Sequence, residues 1–188
     1  MPSRLLPLLL LLAALPAWAT SMFKLDVPGL TQASDLVVRG TVVRQEARWT
    51  EDKRRIVTET EVEVLEVLKG SPGATAIKVV QPGGEVGEVG QHVSGTAQFR
   101  DAEHVVLFLE QRGPGRFVLT GMSQGKFRVE RGADGTQMAV PELPGEALLL
   151  DPVTHVPVPA GERKSVPLPQ LKETVRTHTN APVPGRTP

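Results

Sequence analysis

Between residues 36 and 122, apolar and β-branched side chains come in short runs, at 36–43, 56–68, 76–80, 104–109 and 117–120, with glycine and proline between them. This punctuation predicts strands, and helical spacing is nearly absent there. In the run 56–68, Ile56, Thr58, Thr60, Val62 and Val64 fall on one face while Val57, Glu59, Glu61 and Glu63 fall on the other. The second face is mostly wet. Past Val64 the phase slips by one, because Leu65 and Val67 become the apolar positions around Glu66. One extra residue in a strand is a β-bulge, which bends the strand as a barrel corner requires. Val105, Val106, Leu107, Phe108 and Leu109 contain no polar member, which predicts a central strand covered on both faces.

Further along, Phe127 and Val129 precede an Asp134-Gly135 turn signal, and Met138 and Val140 follow it, so residues 126–140 read as a separate hairpin. A second pair, 147–150 and 155–158, flanks Asp151-Pro152. Leu168, Leu171 and Val175 then recur at helical spacing, with Pro167 and Pro169 near the start, where proline is tolerated. The expected organisation is all-β. An N-terminal segment at 20–35 precedes an antiparallel barrel at 36–130, closed or partly closed. A hairpin extension at 131–160, an amphipathic helix at 165–179 and a disordered, proline-rich tail at 180–188 complete it.

The first residues have a different character. Arg4 precedes an apolar stretch at 5–15 interrupted only by Pro7, and Ala17 and Ala19 supply an A-x-A cleavage site. This is the pattern of a secretory signal peptide at 1–19, cleaved after Ala19. The apolar stretch is shorter than the ~20 residues a membrane-spanning helix needs. The expectation is export to the periplasm or the extracellular space, with no membrane span after cleavage. Among 188 residues there is no cysteine, so thiolate zinc sites, disulfides and a cysteine nucleophile are excluded. The 21 basic and 21 acidic residues balance, which leaves no cationic excess for nucleic acid.

Few residues offer chemistry. Gly121-Met122-Ser123-Gln124-Gly125 satisfies the G-x-S-x-G nucleophile elbow, whose mechanism needs a strand before the serine and a helix after it. Residues 126–130 alternate like another strand, so a glycine-flanked turn is the better reading. The glycine-rich stretch 83–90 carries Glu85 and Glu88, which suit a loop or partner contact and not a phosphate cradle. His92, His104, His155 and His178 show no local metal-ligand spacing, and no cofactor is implied. Trp49 ends the first strand beside Arg48, ahead of a charged turn. Tryptophan and arginine are the types most enriched at binding hot spots, and packing on the barrel rim is the competing role for Trp49.

A family resemblance rests on three stretches. Ser34-Asp35-Leu36-Val37-Val38-Arg39-Gly40-Thr41-Val42-Val43 is followed by a long acidic-alternating strand ending in Leu68-Lys69-Gly70, and then by Glu103-His104-Val105-Val106-Leu107-Phe108-Leu109. Over residues 34–110 this order resembles the netrin-like module, the OB-fold barrel of tissue inhibitors of metalloproteinases and of complement C-terminal domains. It is also similar to exported bacterial proteins with the same Lys-Gly and Gly-Gly punctuation. The resemblance implies an OB-like barrel and a secreted protease or other exported protein as partner. Those inhibitors place an N-terminal cysteine on the protease zinc, and this chain has none, so the inhibitory mechanism does not carry over. The expectation is a non-enzymatic exported binding module using Arg48, Trp49, Glu85 and Glu88. Its candidate segments are 20–26, 48–55 and 83–90. A serine hydrolase using Ser123 and a structural envelope module pairing through an exposed strand are the alternatives.

Overall fold

The computed structural model describes residues 21–143, 145, 147–159 and 163–179; the signal-peptide and tail expectations lie outside them. In chain order the elements are β1 (Ser21–Phe23), α1 (Val27–Ala33), β2 (Leu36–Trp49), β3 (Ile56–Lys69), β4 (Ala76–Pro82), β5 (Gly84–Val86) and β6 (Val89–Gln91). There follow β7 (His104–Gly113), β8 (Arg116–Leu119), a 3-10 turn (Met122–Gly125), β9 (Lys126–Arg131), β10 (Gln137–Pro141), β11 (Leu148–Leu150), β12 (Pro157–Val158), β13 (Val166–Pro167) and α2 (Leu168–His178). The all-β expectation holds: strands dominate and the two helices are accessories.

Five strands close into a ring. β2 pairs with β3, β3 with β4, β4 with β8, β8 with β7, and β7 again with β2. The expected antiparallel barrel needs one correction, because β4 and β8 run parallel, with Lys78 opposite Arg116 and Val79 opposite Phe117. A parallel pair requires a long crossover, and residues 83–115, including β7 itself, supply it. The slip expected after Val64 is present. Gly40 pairs with Val64 and Arg39 with Glu66, so Leu65 is left over, and two further bulges interrupt the same ladder. The bulge does not turn Leu65 and Val67 inward, however. Both stay more than 40% exposed, and Leu68 is the residue that becomes buried.

β7 is the hub of the sheet. One edge pairs with β2 along residues 104–109, while the other is shared between β9, along residues 105–107, and β8, along residues 109–113. Its faces are both covered, as the unbroken apolar run predicts. Val105, Leu107 and Leu109 point into the ring with Val38, Val62 and Phe117. Val106 and Phe108 point outward into a second core with Leu30, Phe127, Leu171 and Val175. The two helices close that second core. In α2, Leu168, Leu171 and Val175 are buried as their spacing predicts, and Lys172 reaches Glu66 of β3 at 2.5 Å. Residues 20–35 contain a helix that the strand-centred reading left out. Asp26 caps α1 by accepting from the Gly29 N–H at 2.8 Å, and proline occupies its first turn.

The hairpin expected at 126–140 forms, but it is fused to the main sheet through β9 and β7. Its turn uses Gly135 at φ 82°, with Asp134 accepting from the Thr136 N–H and hydroxyl at 2.9 Å. The second expected pair, β11 and β12, builds a small sheet with β1, whose Ser21, Met22 and Phe23 run parallel to Leu148, Leu149 and Leu150. Among the described residues no helix is long and apolar enough to cross a membrane.

Candidate functional site at the mouth of the ring

Two of the three candidate segments meet at one end of the ring. The charged turn 50–55 joins β2 to β3, and the glycine-rich stretch is a small hairpin, β5 against β6, lying on the ends of those same strands. Gly84 permits this approach: a Cβ there would sit 2.9 Å from Ala47 Cβ, and its φ of 133° disfavours other residues. Gln91 fastens the hairpin, since its side-chain oxygen accepts from the Ile56 N–H at 2.8 Å. Glu85 and Glu88 are both exposed. The third segment, 20–26, is committed elsewhere, in the pairing of β1 with β11.

The irregular stretch from Val93 to Glu103 crosses this end of the ring and inserts Ala97 and Phe99 into the core. A chain segment outside any ladder must find partners for its backbone groups. Glutamines provide several of them. Gln81 Nε2 donates to the Ala97 carbonyl at 2.8 Å and Gln45 Nε2 to the Phe99 carbonyl at 3.1 Å. Between hairpin and crossing stretch a cavity of about 460 Å³ opens, lined by Gln45, Thr58, Gln81, Glu85, His92 and Phe99 among others. The Gln81 side-chain oxygen is buried there without a partner among the described residues. Sequence reading missed these glutamines. A neutral amide gives no motif, and only the fold shows that two strands, β2 and β4, each aim one at the same stretch.

Below the mouth lies Lys126, fully buried. Its ammonium donates to Glu103 at 2.9 Å and Glu142 at 3.1 Å, donates to the Gln98 carbonyl, and sits 4.8 Å from the centre of the Phe99 ring. This cluster ties the crossing stretch to β9, which carries Lys126, and to Glu142 just past the end of β10.

On the outer face of the ring, the Arg48 side chain is engaged by Glu59 at 2.6 Å. Lys78 at 3.4 Å and Arg116 also reach the Glu59 carboxylate. Hydrogen bonding from Arg48 is the largest influence on that carboxyl; with help from Lys78 and Arg116 it outweighs burial and holds the pKa down to about 2. A carboxyl depressed in the folded state stabilises above its unfolded pKa near 4.5, and the contribution disappears as pH falls through its folded value. The Tm gap between wild type and Glu59→Gln is therefore expected to close as pH falls from about 4.5 to 2. Near neutrality it corresponds to about 1–2 kcal/mol, because the three cations are 40–49% exposed and solvent screens them. A gap that does not change over this window, in thermal melts, would contradict the assignment.

Trp49 stands at the end of β2 opposite Ile56, 37% exposed, and belongs to neither core. Ser123 is placed differently. It is fully buried in the 3-10 turn, its hydroxyl has no hydrogen-bond partner among the described residues, and a strand follows it where a nucleophile elbow needs a helix. Among the described residues no three His, Asp or Glu side chains are grouped to hold a metal ion. His104 instead meets the Thr41 hydroxyl at 3.0 Å through Nδ1. Neither protein-family models nor curated proteins match this chain.

Proposed function

We propose that the chain is an exported binding module with an OB-like barrel, and that it captures a partner protein with the mouth of the ring. The barrel reading rests on the strand order. Numbered along the chain, the ring strands run first, second, third, fifth, fourth and back to the first, with five members and one parallel pair. That is a meander closed by a returning pair, in keeping with the five-stranded Greek-key barrel of OB folds. Such barrels bind ligands through the face of their second and third strands and the loops beside it. The turn 50–55 joins the first and second ring strands, and Glu59 and Lys78 on the outer face of the second and third are joined there by Arg48 of the first and Arg116 of the fifth. The netrin-like resemblance supplies the partner class, a secreted protease or another exported protein. Export rests on the 4–19 pattern, and the mass of the secreted protein should correspond to a start at Thr20.

One observation carries the binding reading: an exposed tryptophan outside both cores stands where two sequence-distant charged loops converge. Glu85 and Glu88 extend the same surface with acidic side chains. Tagged protein recovered from its own culture medium or periplasm, crosslinked and identified by mass spectrometry, should yield a defined partner. Trp49→Ala is expected to weaken that capture about tenfold, which corresponds to about 1.4 kcal/mol, with Tm within roughly 2 °C of wild type. Arg48→Ala should weaken it less, because its guanidinium also serves Glu59. A sharp fall in Tm for Trp49→Ala, with surviving folded protein still binding, would make Trp49 a packing residue and defeat the proposal.

A further inference from the structure

A second cavity, of about 580 Å³, lies on the other side of the sheet, away from the ring's mouth. Its walls are mainly apolar, with Leu25, Val27, Phe127, Leu149, Val158 and Val166 among them. Arg163 lies within it. The guanidinium packs 5.1 Å from the centre of the Phe127 ring, and donates to the Glu142 and Gln124 carbonyls, both at 3.0 Å. Those two bonds use part of a five-donor group. Among the described residues no carboxylate pairs with it. Burial alone pushes its pKa down to about 10, so it remains a cation at neutral pH.

A half-buried cation that no described carboxylate neutralises is unfavourable in an apolar wall, and an anion that brings its own apolar body would relieve it. Other charges narrow the class. Lys24 and Lys164 line the same cavity, and so do Asp26 and Asp151. Both aspartates are engaged in local caps, Asp26 with the Gly29 N–H and Asp151 with the Val153 and Thr154 N–H groups. The charged side chains among the described lining residues sum to one positive charge, which suits a monoanion and not a phosphate dianion. A planar carboxylate also matches the parallel N–H pair of a guanidinium edge. The volume lies within the range of small-molecule sites.

We infer that this cavity is a binding site for an amphipathic monocarboxylate of the fatty-acid class, with its carboxylate on Arg163 and its chain along Phe127, Leu149 and Val166. The site is distinct from the mouth of the ring and does not depend on the partner proposed for it. Isothermal titration of the purified chain with decanoate and, separately, with decanol provides the test. Decanoate is expected to bind at least tenfold more tightly than decanol, and Arg163→Met should remove that preference. Val158→Trp, which fills the cavity without altering Arg163, should weaken both ligands at least tenfold. In two-dimensional NMR spectra of the wild type, decanoate should move the amide signals of Gln124, Phe127 and Leu149. No decanoate binding, equal binding of both ligands, or shifts confined to other regions would overturn the inference. The wild-type measurements decide even if Arg163→Met does not fold.

Discussion

Lys126→Ala is expected to destabilise the protein by about 3–5 kcal/mol, which for a chain of this size lowers Tm by roughly 10 °C. The reason is what the substitution leaves behind. Glu103 and Glu142 have side chains only 10% and 15% exposed, and both face the Lys126 ammonium. Without the lysine two carboxylates remain close together and desolvated, and the Gln98 carbonyl loses its donor. Removing one member of a buried ionic group costs far more than replacing the group as a whole. The variant Lys126→Met with Glu103→Gln and Glu142→Gln should therefore recover most of the loss. Differential scanning calorimetry of the single and triple variants distinguishes these outcomes. A Tm change below about 2 °C for Lys126→Ala would mean that the cluster does not hold the crossing stretch in place.

The contrast between Lys126 and Trp49 shows how far side-chain pattern reaches. Lys126 opens the alternating run Lys126-Phe127-Arg128-Val129-Glu130, and alternation alone does not tell a wet lysine from one that meets two glutamates inside. Glu103 is 23 residues before it and Glu142 is 16 after it, so their convergence is a property of topology. Trp49 is different: it lies at the end of a strand run and beside a charged turn, and a rim position follows from that context. The bulge after Val64 and the double burial of residues 105–109 were legible for the same local reason, since period and polarity report directly on the faces of a strand. The fate of Leu65 and Val67 was not. Both are apolar, but the bulge directs them to solvent, and only pairing with β2 reveals it. Helix α1 did leave a signal, an aspartate cap with proline two residues on, but the helix is seven residues long and contains Gly29, so its apolar period is short. The parallel β4–β8 pair and the glutamines over the mouth had no local trace at all.

Phe108→Ala is expected to cost about 3–5 kcal/mol, the range for truncating a large buried aromatic side chain. Phe108 is completely buried and its ring lies 5.7 Å from that of Phe127. It belongs to the core that joins the sheet to both helices, through Leu30 of α1 and Leu171 and Val175 of α2. Its neighbour Leu107 faces the interior of the ring with Val38, Val62 and Phe117. The two positions adjoin in sequence and serve separate cores, so their truncations should fail differently. In native-state hydrogen exchange, Phe108→Ala is expected to lower protection first in the amides of α1 and α2, while the β2 and β3 ladder keeps most of its protection. Leu107→Ala should instead lower protection in β2, β3 and β7, at a cost of about 2–5 kcal/mol. Equal loss across helices and ring in the Phe108 variant would show that the two cores unfold as one unit. A separable outer layer also bears on ligand binding, since Phe127 supplies both the ring against Phe108 and the wall beneath Arg163. Phe108→Ala should then weaken decanoate binding more than Leu107→Ala does, at temperatures where both variants remain folded.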